Sequence, residues 1–466
     1  MNLRTVIRTF GLILLMTAMT WSLGVAADGS DSGSNDEASR ADEAQSNEDQ
    51  PDSEKPLITA EDGEVVGVSE SLDSQSDKSN IDTAADQSDI SAAEKDFGIG
   101  LSEIDWSDFS IAAPEIDPLY VRAFTDITAG HNDSNPIWSP TGKLMAFERS
   151  IEDKREIIIS RSDGSILQKI YHRQFREDRE MDSLFADIVE DISYNAGIAW
   201  SPDESRLVFM SNGGSGNYDL YLLPALGHKS PIRLTDDEAK DSHPHWSPVA
   251  DRLVFVSGRT GKADIYLMDL ASRKVTQLTN GHKTFLYPQW SPDGKKIVMI
   301  YGSNENHDIF MIEDTNRPAQ TLKALTHWNY DDLRPVWSPD GEKIAFYSNY
   351  NLENNPKVWC IVVIAADGSD PVEGAALAQK IVALNVTPDT ERGPAWMPDS
   401  QRIIYVKNDH LAYNPIYMVD VEQKKEQAIN TQTKMNHDVS CSADGILAFR
   451  AQVEQWDHIY IAMLKE

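Results

Sequence analysis

Seven times along this 466-residue chain a short signature returns, and its spacing leaves room for few folds. It reads Trp138-Ser139-Pro140-Thr141-Gly142, Trp200-Ser201-Pro202-Asp203-Glu204, Trp246-Ser247-Pro248-Val249-Ala250, Trp290-Ser291-Pro292-Asp293-Gly294 and Trp337-Ser338-Pro339-Asp340-Gly341. Trp396-Met397-Pro398-Asp399-Ser400 and the degenerate Cys441-Ser442-Ala443-Asp444-Gly445 complete the series. Successive Trp (or Cys441) positions lie 62, 46, 44, 47, 59 and 45 residues apart. A period of about 45 residues holding four short strands is the spacing of propeller blades. Helical solenoids are excluded, because the apolar residues run in strand-length blocks separated by turn residues.

Each repeat follows one internal logic. Pro presets φ and Gly accepts positive φ, so the signature is a tight turn after a Trp-terminated strand. A β-rich run follows, as in Leu253 to Val256 or Ile344 to Tyr347. A third strand comes after a polar loop, as in Asp264 to Met268, and the fourth ends in Leu-Thr at Leu234-Thr235, Leu278-Thr279 and Leu325-Thr326. In those three repeats the Thr stands 11 residues before the next Trp, so the connecting loop has constant length. The last repeat stops after its third strand, Asp457 to Leu464, while Tyr120 to Thr125 forms an orphan strand ahead of the first Trp. Pairing the two closes a ring and hides both edges. The expected fold is all-β: a seven-bladed β-propeller of four-stranded blades, closed by an N-terminal strand that completes the last blade. Six blades with one repeat diverted is the alternative.

Three stretches are expected. Residues 1–27 carry Arg4 and Arg8, an apolar run from Phe10 to Leu23, and small residues Val25-Ala26-Ala27, the pattern of an export signal that is cleaved. No membrane span remains after its removal. Residues 28–110 are Ser/Asp/Glu-rich, with 24 acids against four bases, and read as a disordered acidic linker. The propeller is expected over 111–466. The formal charge of -33 therefore sits mostly in the linker, and an acid excess of 75 to 42 excludes nucleic acid as a partner. Two insertions enlarge the array. Arg173 to Asp191 carries apolar residues at helical spacing, and Asp370 to Ala383 lengthens the fifth repeat. Cys360 and Cys441 fall in different repeats and read as small apolar residues rather than a disulfide.

The W-S-P-D-G-x-x-I-A-F, D-I-Y-x-M and L-T elements from about Tyr120 to Leu464 resemble the TolB-type propeller repeat. The resemblance implies a periplasmic or secreted, surface-exposed propeller that binds protein partners, with a cation in the central channel in some members. The Tol-system protein itself carries an α/β domain ahead of six blades, where this chain has an acidic low-complexity stretch ahead of seven repeats.

Function is expected at the loops that enter the inner strands. Five positions before each Trp equivalent stand Asp133, Asn195, Asp241, Phe285, Asp332, Glu391 and Asn436. A ring of oxygens suits a hard cation such as Ca²⁺, with Asp133, Asp241, Asp332 and Glu391 as candidate metal ligands; turn capping explains the same residues. The partner-binding candidates are His243, Tyr287, Trp328, Arg334, Arg392 and His437, since aromatics and Arg dominate binding energy when desolvated. His131, His243, His282, His327 and His437 gather in the same loops without any short-range ligand spacing. The chain has no G-x-S-x-G elbow, Walker motif or dinucleotide fingerprint. The expected function is an exported, monomeric, non-catalytic scaffold for an envelope or extracellular protein, peptide or glycan. The alternative is a metal-dependent lyase or hydrolase acting on an anionic polysaccharide.

Overall fold

The computed structural model describes residues 113–465, apart from 152–153, 171–194, 214–216, 228–229, 304–305, 351–357, 371–373 and 409–412. The export signal, the acidic linker, the Arg173 to Asp191 insertion and the Gly214 to Gly216 loop lie outside the described residues.

Seven antiparallel sheets follow one another along the chain, one per signature. Blade 3 shows the pattern. Its inner strand Asp241–Trp246 pairs with Arg252–Ser257, which pairs with Asp264–Asp269, and Lys274–Gln277 lies outermost. Leu253 to Ser257 are all buried, because the middle strands of a blade are covered on both faces by neighbouring blades. The turn between the first two strands uses the signature chemically. Ser291 Oγ donates to Asp293 at 2.6 Å and accepts from Lys296 N–H at 2.9 Å, and Gly294 takes φ 68°.

The ring closes as expected. Tyr120–Ala123 pairs antiparallel with the third strand of blade 7, Tyr120 opposite Met463 and Ala123 opposite Tyr460. One strand had no counterpart in the sequence reading. Ala113–Ile116 runs parallel to Glu426–Ile429 and makes blade 6 five-stranded. The chain thus covers the outer edge of blade 6 and then completes blade 7.

The core is divided among seven seams rather than gathered in one centre. Trp200, Trp246, Trp290, Trp337 and Trp396 each pack into a cluster shared with the preceding blade, and Trp138 packs across the closure. Trp200 Nε1 donates to Ile137 O and Trp337 Nε1 to Gln289 O, both at 3.3 Å, so the wedge is also pinned by polar contact. The seventh seam has the half-buried Cys441 where the others have Trp, and its Sγ lies 3.6 Å from Met397 Sδ. Both cysteines are free. The lengthened fifth repeat adds a helical turn, Gly374–Ala378, whose Leu377 is buried in the seam between blades 4 and 5. No described helix is long and apolar enough to cross a membrane.

Candidate functional site

The inner strands interleave two sets of positions. Five residues before the Trp, Asp133, Asn195, Asp241, Asp332 and Asn436 are fully buried. Asp133 and Asp241 bond within their own blades, and Asn195 and Asn436 reach the preceding blade. Arg149 holds Asp133 through Nε at 2.7 Å and Nη2 at 2.9 Å, and Arg259 Nη2 lies 3.1 Å from Asp241. Asn195 Nδ2 donates to Arg155 O at 2.8 Å, and Asn436 Nδ2 donates to Asn414 O at 3.0 Å. The Thr of the Leu-Thr pair joins this network: Thr235 lies beside Asp241 and Thr326 beside Asp332. Thr326 Oγ1 also accepts from Ile309 N–H at 2.8 Å. These polar groups tie a blade's entry to its own second strand, as at Asp133, or to the third strand of the preceding blade, as at Asn195 and Thr326. The structure does not bring Asp133, Asp241, Asp332 and Glu391 together as one oxygen ring: Asp133 faces Arg149, Asp241 faces Arg259 and Asp332 faces Trp328.

Asp332 differs from its counterparts in facing no cation. It accepts from Trp328 Nε1 at 2.8 Å, and burial, with Asp308 nearby, pushes its carboxyl up to about 8. A carboxyl raised in the fold above its unfolded value stabilises the protein when protonated, and this contribution is lost as pH rises through about 8. We expect stability to fall by roughly 2 kcal/mol between pH 5 and 7 relative to Asp332→Asn, at up to about 1.4 kcal/mol per pH unit. Urea titrations of both proteins at pH 5, 6, 7 and 8 check this, and parallel profiles would refute it.

Three residues before the Trp, the backbone turns left-handed. Asn135, Gly197, His243, Tyr287, Arg334 and Asp438 have φ of 52°, 64°, 50°, 53°, 56° and 54°. Such a conformation costs about 1–2 kcal/mol for a residue with a Cβ. The next position is Pro in four of these six repeats, Pro136, Pro244, Pro288 and Pro335, and Ile198 and Val439 in the other two. The register slips at all six, with Pro as between Ser242 and His245 or without it as between Ala196 and Ala199, so the left-handed residue belongs to a β-bulge. The bulge turns that residue toward the ring axis.

Five of these positions (Asn135, Gly197, His243, Tyr287, Arg334) line a cavity of about 580 Å³ with Glu148, Glu391 and Arg392. Farther along the same strands the lining becomes apolar, with Trp138, Trp200 and Trp246 and the turn prolines Pro140, Pro202 and Pro248. The Arg334 guanidinium carbon lies 3.3 Å from the Tyr287 ring centre, and His243 meets that ring edge-on at 4.3 Å. Arg334 Nη2 donates to Thr390 O, while its buried Nη1 has no hydrogen-bond partner among the described residues. Arg392 Nη1 donates to Pro136 O at 2.6 Å and so braces the rim. Burial, with Arg334 and Lys240 nearby, pushes the His243 imidazole down to about 3, so it is neutral. Burial pushes Glu148 up to about 7 against the pull of Arg155, whose Nη1 is 2.8 Å away.

Four of the six residues expected to contact a partner, His243, Tyr287, Arg334 and Arg392, therefore share one cavity. The other two do not join them. Trp328 is 9% exposed, stacks on Tyr350 at 4.8 Å and spends its N–H on Asp332, so it belongs to a seam. His437 faces Asn414 Nδ2 at 3.1 Å beside a separate small cavity. His282 and His327 are exposed. Glu148 escaped the sequence reading because it lies on a second strand.

Fold and cavity define a seven-bladed propeller with a polar ring around an apolar channel. Residues 186–374 match the family model described as the TolB beta propeller domain. Among solved structures, an oligogalacturonate lyase from Vibrio parahaemolyticus aligns at 12% identity and TM-score 0.54, over 74% of this chain and 94% of that one. An oligogalacturonate lyase in complex with manganese aligns at 13% identity and TM-score 0.51, over 76% and 99%. A putative TolB from Agrobacterium tumefaciens is 23% identical over 52% of this chain and 79% of its own, with TM-score 0.39. At these identities the likeness to the two lyases shows the fold alone. No curated protein matches the chain in sequence.

Proposed function

We propose that this protein is an exported binding scaffold that receives an extended segment of a partner protein at its channel mouth. The observation that carries this reading is Arg334, held flat on Tyr287 with a buried N–H unpartnered at the cavity wall. Such a donor awaits an acceptor, and a main-chain carbonyl or a carboxylate supplies one. The ring's strained backbone holds these side chains without further ordering on binding, which is the preorganisation that favours affinity. The apolar sleeve of tryptophans and prolines below accommodates the side chain that follows. The reading places the protein in the periplasm or at the cell surface, as the resemblance and the N-terminal apolar run suggest.

A metal-dependent lyase would need ligands converging on the channel. The two imidazoles lining it, His243 and His245, lie on one strand, and His245 Nδ1 accepts from Trp290 N–H at 3.2 Å. No observation here favours that alternative over the scaffold.

Selection of displayed peptides on the immobilised protein tests the proposal. Selected peptides should bind in the micromolar range or tighter. Arg334→Ala and Tyr287→Ala should each weaken them about thirtyfold, roughly 2 kcal/mol, with little change in melting temperature. Failure to select any peptide, or equal binding by both variants, would overturn it.

A further inference from the structure

The seam between the first and last blades holds a second concentration of chemistry, away from the channel cavity. His131 and Asp133 stand where the chain enters the inner strand of blade 1, and His458 lies on the Trp456–Met463 strand of blade 7. His131 Nδ1 is 3.4 Å from Asp133 Oδ1, and the two imidazole rings are 6.2 Å apart centre to centre. One ligand atom from each of the three residues lies within 4.8 Å of the others, the sole such grouping of His, Cys, Asp or Glu among the described residues. His458 is fully buried, and neither of its ring nitrogens has a hydrogen-bond partner among the described residues. The buried Nδ1 of His131 has none either. Buried imidazoles are normally satisfied by backbone or carboxylate, so a doubly unpartnered one needs an explanation.

We propose that His131, Asp133 and His458 form a site for a divalent transition metal, best suited to Zn²⁺, that clasps the closure of the ring. Two imidazole nitrogens and a carboxylate oxygen are a donor set for borderline ions, with water in the fourth position. Tetrahedral ligands about 2.0–2.1 Å from zinc lie about 3.3 Å from one another. The His131–Asp133 pair already has that separation, and the remaining closure is at most about 1.5 Å, within side-chain rotation. Arg149 donates to both Asp133 oxygens, Nε to Oδ1 at 2.7 Å and Nη2 to Oδ2 at 2.9 Å, and fixes the carboxylate's orientation, as second-sphere partners of metal ligands do. The same guanidinium offsets the carboxylate's charge. Hard Ca²⁺ and Mg²⁺ thereby lose their main attraction, while an ion that gains from imidazole nitrogens keeps its own. Asp126 and Asp457 stand near the two imidazoles and keep the surroundings favourable to a cation. The indole of Trp456 lies against Gly130, next to His131 in the chain. This site and the channel reading stand or fall separately.

The test uses the purified full chain, stripped with chelator and titrated calorimetrically with zinc chloride. One zinc should bind per chain with micromolar affinity or better and raise the melting temperature by about 3 °C or more. His458→Ala should weaken zinc at least about thirtyfold and abolish the thermal gain, while exposed His282→Ala should change neither. Cobalt should give tetrahedral visible bands in the parent protein that disappear in the variant. If His458→Ala does not fold, His131→Ala, at the more accessible end of the site, must show the same loss. The absence of stoichiometric zinc at about a hundred micromolar, or zinc binding that survives both His variants, would overturn the proposal.

Discussion

A protein shortened to begin at Asp126 should lose its cooperative melting transition and scatter light as an aggregate. The deletion removes Tyr120–Ala123, which pairs with the third strand of blade 7, and Phe124, whose N–H donates to Ile459 O at 2.7 Å. It also removes the aromatic edge contacts of Phe124 with Trp138 and Phe147, at 6.3 and 6.4 Å, which seal the seam between the last and first blades. What remains is an open horseshoe with an unpaired strand edge, the arrangement most prone to pairing between molecules. The lost ladder, aromatic packing and covered edge together amount to several kcal/mol, a large fraction of the roughly 5–15 kcal/mol that a domain possesses. A synthetic peptide spanning Leu119 to Thr125 should restore solubility when added during refolding. A truncated protein that melts like the parent would mean that the other six seams hold the ring unaided.

The second large effect is expected at a single side chain. Trp290 is 4% exposed and fills the seam between blades 3 and 4 among Val254, Leu278, Ile297 and Ile312. Trp290→Ala should cost about 3–5 kcal/mol, read as a lowered urea midpoint with an unchanged slope. The same truncation at the equivalent place in the seventh seam, Cys441→Ala, should cost only about 1 kcal/mol, because a half-buried thiol removes far less volume. Equal costs would show that the seams do not bear stability through their wedge residue. Loss of the first should also loosen blades 3 and 4 before the rest, visible as faster amide exchange in Val254 to Val256.

The turn signature was enough to read blade number and closure, because Pro and Gly act locally and their chemistry needs no tertiary context. The strand Tyr120–Ala123 was legible because the last repeat is one strand short. Ala113–Ile116 was not. Its four residues show no alternation that separates an edge strand from a linker, and a parallel partner more than 300 residues away leaves no local mark. At the site, the sequence singled out residues five before the Trp because Asp and Asn recur there, yet recurrence marked polar ties within blades and between neighbours. The residues three before the Trp vary from blade to blade, and the cavity is built from them. A following proline marks four of the six, and the bulges before Ile198 and Val439 carry no such mark. Trp328 illustrates the opposite error, since a large aromatic in a loop is as readily a seam residue as a contact. His458 was hidden because it meets His131 only when the ring closes.

That alternation along the inner strand has a consequence for how such a molecule can change. Within one six-residue segment, one position keeps the blade intact and another, two residues on, presents chemistry to the axis. The bulge hosts Asn, Gly, His, Tyr, Arg and Asp on nearly the same backbone. Exchanging those residues rewrites what the channel accepts without rebuilding the blades. The ring offers six such sockets, and new ligand preferences can be composed by substitution at those sockets alone.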